Sequence, residues 1–233
     1  MKTIGLLGGM SWESTVPYYR WINQRVNQRL GKLHSAEIVL YSVDFEPIEV
    51  LQHAGDWQAA ARVLIRAAQS IEGAGAELLV ICTNTMHKVY DEIAAGVGIE
   101  VLHIADATAE VIAAEGLGTV GLLGTRFTME EDFYRGRLSR RHGLEVVVPE
   151  AADREIVHRV IYDELCRGHV EDSSRREYRR ILGELAARGA EGVILGCTEI
   201  SMLVGPRDAS VPVFDTTEIH ARRAAELALE SES

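Results

Sequence analysis

Cysteine is scarce. The 233 residues hold three, Cys82, Cys166 and Cys197, too few for a disulfide scaffold, and the odd number suits a reducing compartment. Basic residues are outnumbered, 24 Lys and Arg against 35 Asp and Glu, for a formal net charge of −11. Nucleic-acid binding needs concentrated Lys and Arg, so this balance speaks against such a partner. Long hydrophobic runs are also missing. No stretch approaches the roughly 18–20 apolar residues of a membrane span. The first apolar run, 3–10, is interrupted by Gly5, Gly8 and Gly9 and is too short for a signal-peptide core. These absences predict a cytoplasmic protein with no membrane and no nucleic-acid partner.

What is present is an ordinary globular composition, 47% hydrophobic and 25% charged, and a length that allows one large domain or two small ones. Short runs rich in Val, Ile and Leu fall at 3–7, 37–43, 77–82, 100–103, 119–123, 144–148, 192–196 and 211–214. They are continuous instead of alternating, as strands buried on both faces of a parallel sheet are. Amphipathic patterns at 14–30, 56–73, 105–115, 128–142, 153–167 and 173–188 lie between them. This alternation predicts an α/β protein with parallel sheets. Only residues 230–233 read as frayed.

The chain also repeats itself. Lys2-Thr3-Ile4-Gly5-Leu6-Leu7-Gly8 returns as Gly118-Thr119-Val120-Gly121-Leu122-Leu123-Gly124, and the run 75–83 returns as 189–198. Gly8 precedes Cys82 by 74 positions and Gly124 precedes Cys197 by 73. The repeat predicts two similar α/β domains, 1–102 and 103–212, related by a pseudo-two-fold axis, with a terminal helix at 213–233 packing back on the first. Each domain then places a Cys-Thr pair at the carboxyl end of a strand, the end that faces ligands in open α/β sheets.

Two matched thiols on opposite walls of one cleft suit inversion of a carbon acid: one thiolate removes the α-proton while the opposite thiol supplies another, with no cofactor. Cys82-Thr83-Asn84-Thr85 and Cys197-Thr198-Glu199 read as strand-to-helix turns. Their N–H groups and hydroxyls would hold a small carboxylate, and a helix N-terminus would lower the thiol pKa. The glycine turns 5–11 and 124–128 would bring backbone close to the same anion. They match neither dinucleotide nor Walker patterns. The plainer reading of a buried Cys is a small hydrophobe. That reading fits Cys166, which has no counterpart in the other half. A redox pair lacks the Cys-x-x-Cys spacing. The eight histidines form no metal-ligand spacing, so no metal is expected and core or surface roles are the simpler reading.

Several motifs resemble the aspartate/glutamate racemase family, the cofactor-independent amino-acid racemases. They are Gly8-Gly9-Met10-Ser11-Trp12-Glu13-Ser14-Thr15, Cys82-Thr83-Asn84-Thr85-Met86-His87-Lys88, Gly124-Thr125-Arg126-Phe127-Thr128 and Gly196-Cys197-Thr198-Glu199-Ile200. The resemblance implies two α/β domains with the active site in the cleft between them, in a homodimer. It implies racemisation of a free amino acid, aspartate, glutamate or a broader range, by Cys82 and Cys197 without a cofactor. By position, Thr83, Asn84, Thr85, Thr125 and Thr198 would hold the substrate, Met10 would border it, Glu199 would follow the second thiol, and Gln52 would meet the distal group from the loop after the second strand. That loop, 46–54, has no arginine, so an acidic side chain would fall to Lys88, Arg126, Arg167, Gln52 or His53. The alternatives are another two-cysteine member of the superfamily, a hydantoin racemase or a maleate isomerase, or a non-catalytic small-ligand binding protein.

Overall fold

The computed structural model describes residues 1–230. Residues 231–233, part of the segment expected to fray, lie outside it. The chain divides into two compact units, one of residues 1–103 with 220–230, the other of residues 104–219.

The first unit contains β1 (Ile4–Gly8), α1 (Trp12–Leu30), β2 (Ile38–Ser42), α2 (Phe45–Ala54), α3 (Trp57–Gly73), β3 (Leu78–Ile81), α4 (Tyr90–Ala95) and β4 (Glu100–Leu102). Its four strands are parallel in the order β2-β1-β3-β4. β1 and β3 are buried along their whole length, which is why they read as unbroken apolar runs. Side chains alternate between two cores: Leu7, Leu79 and Ile81 join α3, while Ile4, Leu6, Leu78 and Val80 join Tyr18, Ile22 and Val26 of α1. α1 starts where the Ser11 side chain accepts from the Ser14 N–H, and α3 starts on Asp56, which accepts from the Ala59 N–H at 2.9 Å. Both are N-caps that satisfy an orphan donor.

The second unit contains α5 (Ile104–Ala114), β5 (Thr119–Gly124), α6 (Arg126–Glu130), α7 (Asp132–His142), β6 (Glu145–Val147), α8 (Ala151–Asp163), α9 (Asp172–Ala187), β7 (Gly192–Gly196) and β8 (Val213–Asp215). Its sheet, β6-β5-β7-β8, is again all parallel, so the sequence repeat is a repeat of topology. α10 (Thr216–Leu229) follows β8, and its Ala221, Ala224, Ala225 and Ala228 lie in the α1 core of the first unit.

Equivalent glycines serve both sheets. A Cβ on Gly5 would meet Ile71 Cγ2 of α3 at 2.2 Å, and one on Gly121 would meet Leu185 Cδ1 of α9 at 3.1 Å. Each absent side chain lets a helix settle on the middle of its sheet.

Three expectations change. The pattern over 128–142 is two helices, divided at Glu131, which adopts an extended backbone. The 46–54 segment is helix α2, since Pro47 sits in its first turn, where a missing N–H costs nothing. The terminal helix begins at Thr216, because Val213–Asp215 pairs with β7 as the edge strand of the second sheet. Among the described residues, no helix is long and apolar enough to cross a membrane.

Candidate active site

The ten residues read from sequence as catalytic or substrate-binding are all buried, and all follow the carboxyl end of a strand. In the first unit they are Met10 after β1, Gln52 on α2 after β2, and Cys82, Thr83, Asn84 and Thr85 after β3. The Cys82 N–H donates to Leu7 O at 2.9 Å and extends the β1–β3 ladder by one residue. The chain then bends into a 3-10 turn, Thr85–Val89. Gln52 reaches this turn, its Nε2 donating to Met86 Sδ at 2.9 Å. Met10 lies in the same core cluster as Met86. Cys82 is wholly enclosed, with Sγ 3.7 Å from Val80 O. Burial raises its pKa well above the ordinary thiol value.

In the second unit, Gly124 pairs with Gly196, so Thr125 and Cys197 leave adjacent strand ends. Thr125 caps α6, accepting from the Thr128 N–H at 3.3 Å. Around Cys197 the polar groups converge on one carboxylate. Cys197 Sγ donates to Glu199 Oε2 at 2.9 Å, and Thr198 Oγ1 donates to the same oxygen at 2.7 Å. Cys166 Sγ lies 3.7 Å from the other oxygen, Oε1. Burial raises the Cys197 pKa well above its usual value, and the negative charge of Glu199 adds to the rise.

Two expectations about the thiols are corrected here. Neither pKa is lowered. Each cysteine is followed by only a few residues and a short 3-10 turn, whose few aligned dipoles do not offset the cost of enclosing a thiolate. Nor are the two positions equivalent. Leu7 pairs with Ile81 and Leu123 with Leu195, so Cys82 occupies the position that Gly196 holds in the second sheet, and Cys197 comes one residue later. One residue along a strand turns a side chain to the opposite face. Accordingly Cys82 belongs to the α1 core, while Cys197 belongs to the core with α8 and α9, which corresponds to the α3 side of the first unit.

Of the cations suggested for an acidic side chain, Lys88 stands 4.0 Å above the Trp57 ring and Arg126 is paired with Glu155. His53 is paired with Glu49 on the surface of α2. Sequence reasoning set aside Cys166 and His87, yet the structure draws both towards the catalytic candidates. Cys166 shares the Glu199 carboxylate. His87 Nδ1 lies 2.8 Å from Thr83 O. The signal for His87 was its place in the Cys82–Lys88 motif, and for Cys166 there was none. Among the described residues, no group of three His, Cys, Asp or Glu side chains is arranged to hold a metal ion.

Comparison with known proteins identifies the family. The model of the Asp/Glu/hydantoin racemase family matches residues 7–224. A crystal structure of a proposed Asp/Glu racemase from Yersinia pestis is 61% identical, covers 98% of this chain and 100% of its own, and superposes with a TM-score of 0.92. An aspartate racemase homologue from Pyrococcus horikoshii is 40% identical over 98% of this chain and 100% of its own, with a TM-score of 0.84. The broad specificity amino-acid racemase RacX of Bacillus subtilis is 22% identical over 224 residues, 94% of this chain and 95% of that protein. The chain belongs to the Asp/Glu/hydantoin racemase family.

Proposed function

We propose that this racemase inverts the α-carbon of a free amino acid, aspartate, glutamate or a broader range, using Cys82 and Cys197 and no cofactor. One thiol serves each face of that carbon. A thiolate takes the α-proton from one face while the other thiol supplies a proton to the opposite face. The charge that develops on the substrate carboxylate is met by N–H and hydroxyl donors of Thr83, Asn84, Thr85, Thr125 and Thr198, with Met10 and Gln52 bordering the substrate.

The observation that carries this reading is the pair Cys197–Glu199. A buried thiol is a poor base because its ionisation puts an unpaired charge in a low dielectric. Glu199 Oε2, 2.9 Å from Sγ, is placed to accept that proton as the thiolate forms, so the transfer does not require solvent. The thiolate then forms by transfer within the pair, with no change in net charge. The Thr198 hydroxyl on the same oxygen holds the carboxylate in line. Cys82 has a carbonyl instead of a carboxylate as its acceptor and keeps its proton until it acts as the acid for one enantiomer; the Cys82 thiolate left by that step is the base for the other. The names of the more identical relatives point to aspartate and glutamate.

The reading includes a cytoplasmic location, which suits three free thiols, and a homodimer. A second copy is favoured by one face of α1. Trp12, Val16 and Tyr19 are exposed there at i, i+4 and i+7, and Glu13 and Arg20, seven apart, are placed to pair head-to-tail across a two-fold axis. Sedimentation of the wild-type chain at micromolar concentration is expected to give a dimer that Val16→Glu dissociates. A wild-type monomer contradicts the dimer.

The function is tested by incubating the protein in deuterium oxide with each L-amino acid, without pyridoxal phosphate, and following α-proton exchange and D-isomer formation. Cys82→Ser and Cys197→Ser are each expected to abolish inversion. Exchange with no amino acid contradicts the reading and turns the assay to hydantoins and maleate.

A further inference from the structure

Packed against the turn that follows Cys82 is a buried group of three histidines that the reaction does not use. His87, His103 and His220 are each at most 3% exposed, and their rings pack on one another: His87 lies 4.6 Å from His103 and 5.8 Å from His220, centroid to centroid.

Their hydrogen bonds fix their tautomers. A carbonyl oxygen only accepts, so the ring nitrogen facing one must carry a hydrogen. His220 Nε2 faces Leu102 O at 3.1 Å and is therefore the protonated nitrogen. Its Nδ1 then accepts from the Tyr18 hydroxyl at 2.9 Å. Both nitrogens of a neutral ring are thereby used, which rules this histidine out as a metal ligand and makes it a fixed wall against His87. By the same rule, His87 Nδ1 carries a hydrogen and donates to Thr83 O at 2.8 Å. The backbone N–H of His87 donates to the next carbonyl, Asn84 O, at 3.1 Å. One residue thus holds two successive peptide planes, Thr83–Asn84 and Asn84–Thr85, beginning one residue after Cys82.

We propose that His87 is a positioning residue: its Nδ1–H clamps the Thr83 carbonyl and so fixes the Cys82-Thr83-Asn84 turn in the orientation that catalysis requires. The clamp acts through the geometry of a trans peptide, in which C=O and the following N–H point in opposite directions. With the Thr83 carbonyl turned towards the histidines, the Asn84 N–H is turned away from them, towards the side where substrate is read to bind. Without the imidazole, a buried carbonyl loses its donor, and the turn is free to rotate and carry Cys82 with it.

This inference rests on the racemase reading, so the test includes a readout that needs no substrate. His87→Asn places an amide N–H close to the position of Nδ1, whereas His87→Gln places it near Nε2 and His87→Ala removes it. Racemisation is measured by kcat/KM, and alkylation of each cysteine by iodoacetamide is followed by peptide mass spectrometry. His87→Ala and His87→Gln are expected to lower kcat/KM at least tenfold and to speed Cys82 alkylation at least tenfold, with Cys197 alkylation unchanged. His87→Asn is expected to restore both to within about threefold of wild type. Should His87→Ala fail to fold, the contrast between asparagine and glutamine decides alone. Equal behaviour of those two variants, or unaltered Cys82 alkylation in His87→Gln, overturns the clamp. If the wild-type chain racemises nothing, the racemase reading falls, while the alkylation pattern still tests the clamp.

Discussion

Replacing Glu199 by glutamine preserves the size of the side chain but removes the buried charge on which Cys197 and Thr198 converge. On the proposed mechanism, the wild-type pair passes the thiol proton to Glu199 as the thiolate forms. In Glu199→Gln the thiol must lose its proton to solvent. Removing the Glu199 charge relieves part of the rise at Cys197, of which burial is the larger cause. Burial remains and keeps the thiol above its ordinary value. With no carboxylate to accept the proton, kcat/KM at pH 7 is expected to fall at least about tenfold and to rise about tenfold per pH unit as the thiol ionises to solvent. Because the equilibrium constant between enantiomers is one, kcat/KM must fall equally for D and L substrate. The assay is the pH profile of kcat/KM in both directions from pH 6 to 9.5. A Glu199→Gln profile as flat as wild type, or wild-type activity at pH 7, refutes the internal proton transfer.

Two further predictions concern the fold around the site. Gly5→Ala puts a Cβ 2.2 Å from Ile71 Cγ2 and 3.0 Å from Ala76 Cβ, overpacking that costs about 1–3 kcal/mol. At roughly 2–4 °C per kcal/mol, thermal melting should show a fall of several degrees. An unchanged Tm contradicts the close packing of α3 on β1. His220 supplies a pH dependence. Burial, with the charge of His87, lowers its pKa from 6.5 to about 3. Between those values the unfolded chain binds a proton that the folded chain does not, so stability is full above pH 6.5 and is lost as pH falls. The loss from pH 7 to 5 is about 2 kcal/mol, and urea unfolding should show it diminished in His220→Gln. Identical pH slopes for the two chains exclude a buried neutral His220.

Most of the fold was legible because the strands that matter are buried on both faces, and the repeated Gly-Leu-Leu-Gly and Cys-Thr runs marked the same topology twice. Helix α2 was not, since Pro47 reads as a breaker unless the helix start is known to lie just before it. The candidate site was legible as a set of strand ends, but not as a pair of unlike thiols. The single extra residue Gly196, which makes the run 189–198 one longer than 75–83, sets Cys197 on the other face of its sheet from Cys82, and the register with β5 shows the consequence. Hydrogen bonds across long separations were equally hidden. Cys166 meets Glu199 across 33 positions, and Tyr18 meets His220 across 202. No local pattern encodes such pairs, because burial brings them together from elements that are individually unremarkable.

The central claim is that two different groups handle the two faces of the α-carbon. It is tested most directly by the label carried in the first turnovers in deuterium oxide. With L-aspartate or L-glutamate and the wild-type chain, the D product should carry deuterium at the α-carbon from the outset, while recovered L substrate stays protiated. Equal early labelling of both enantiomers would show one base working on both faces and would contradict the paired roles of Cys82 and Cys197.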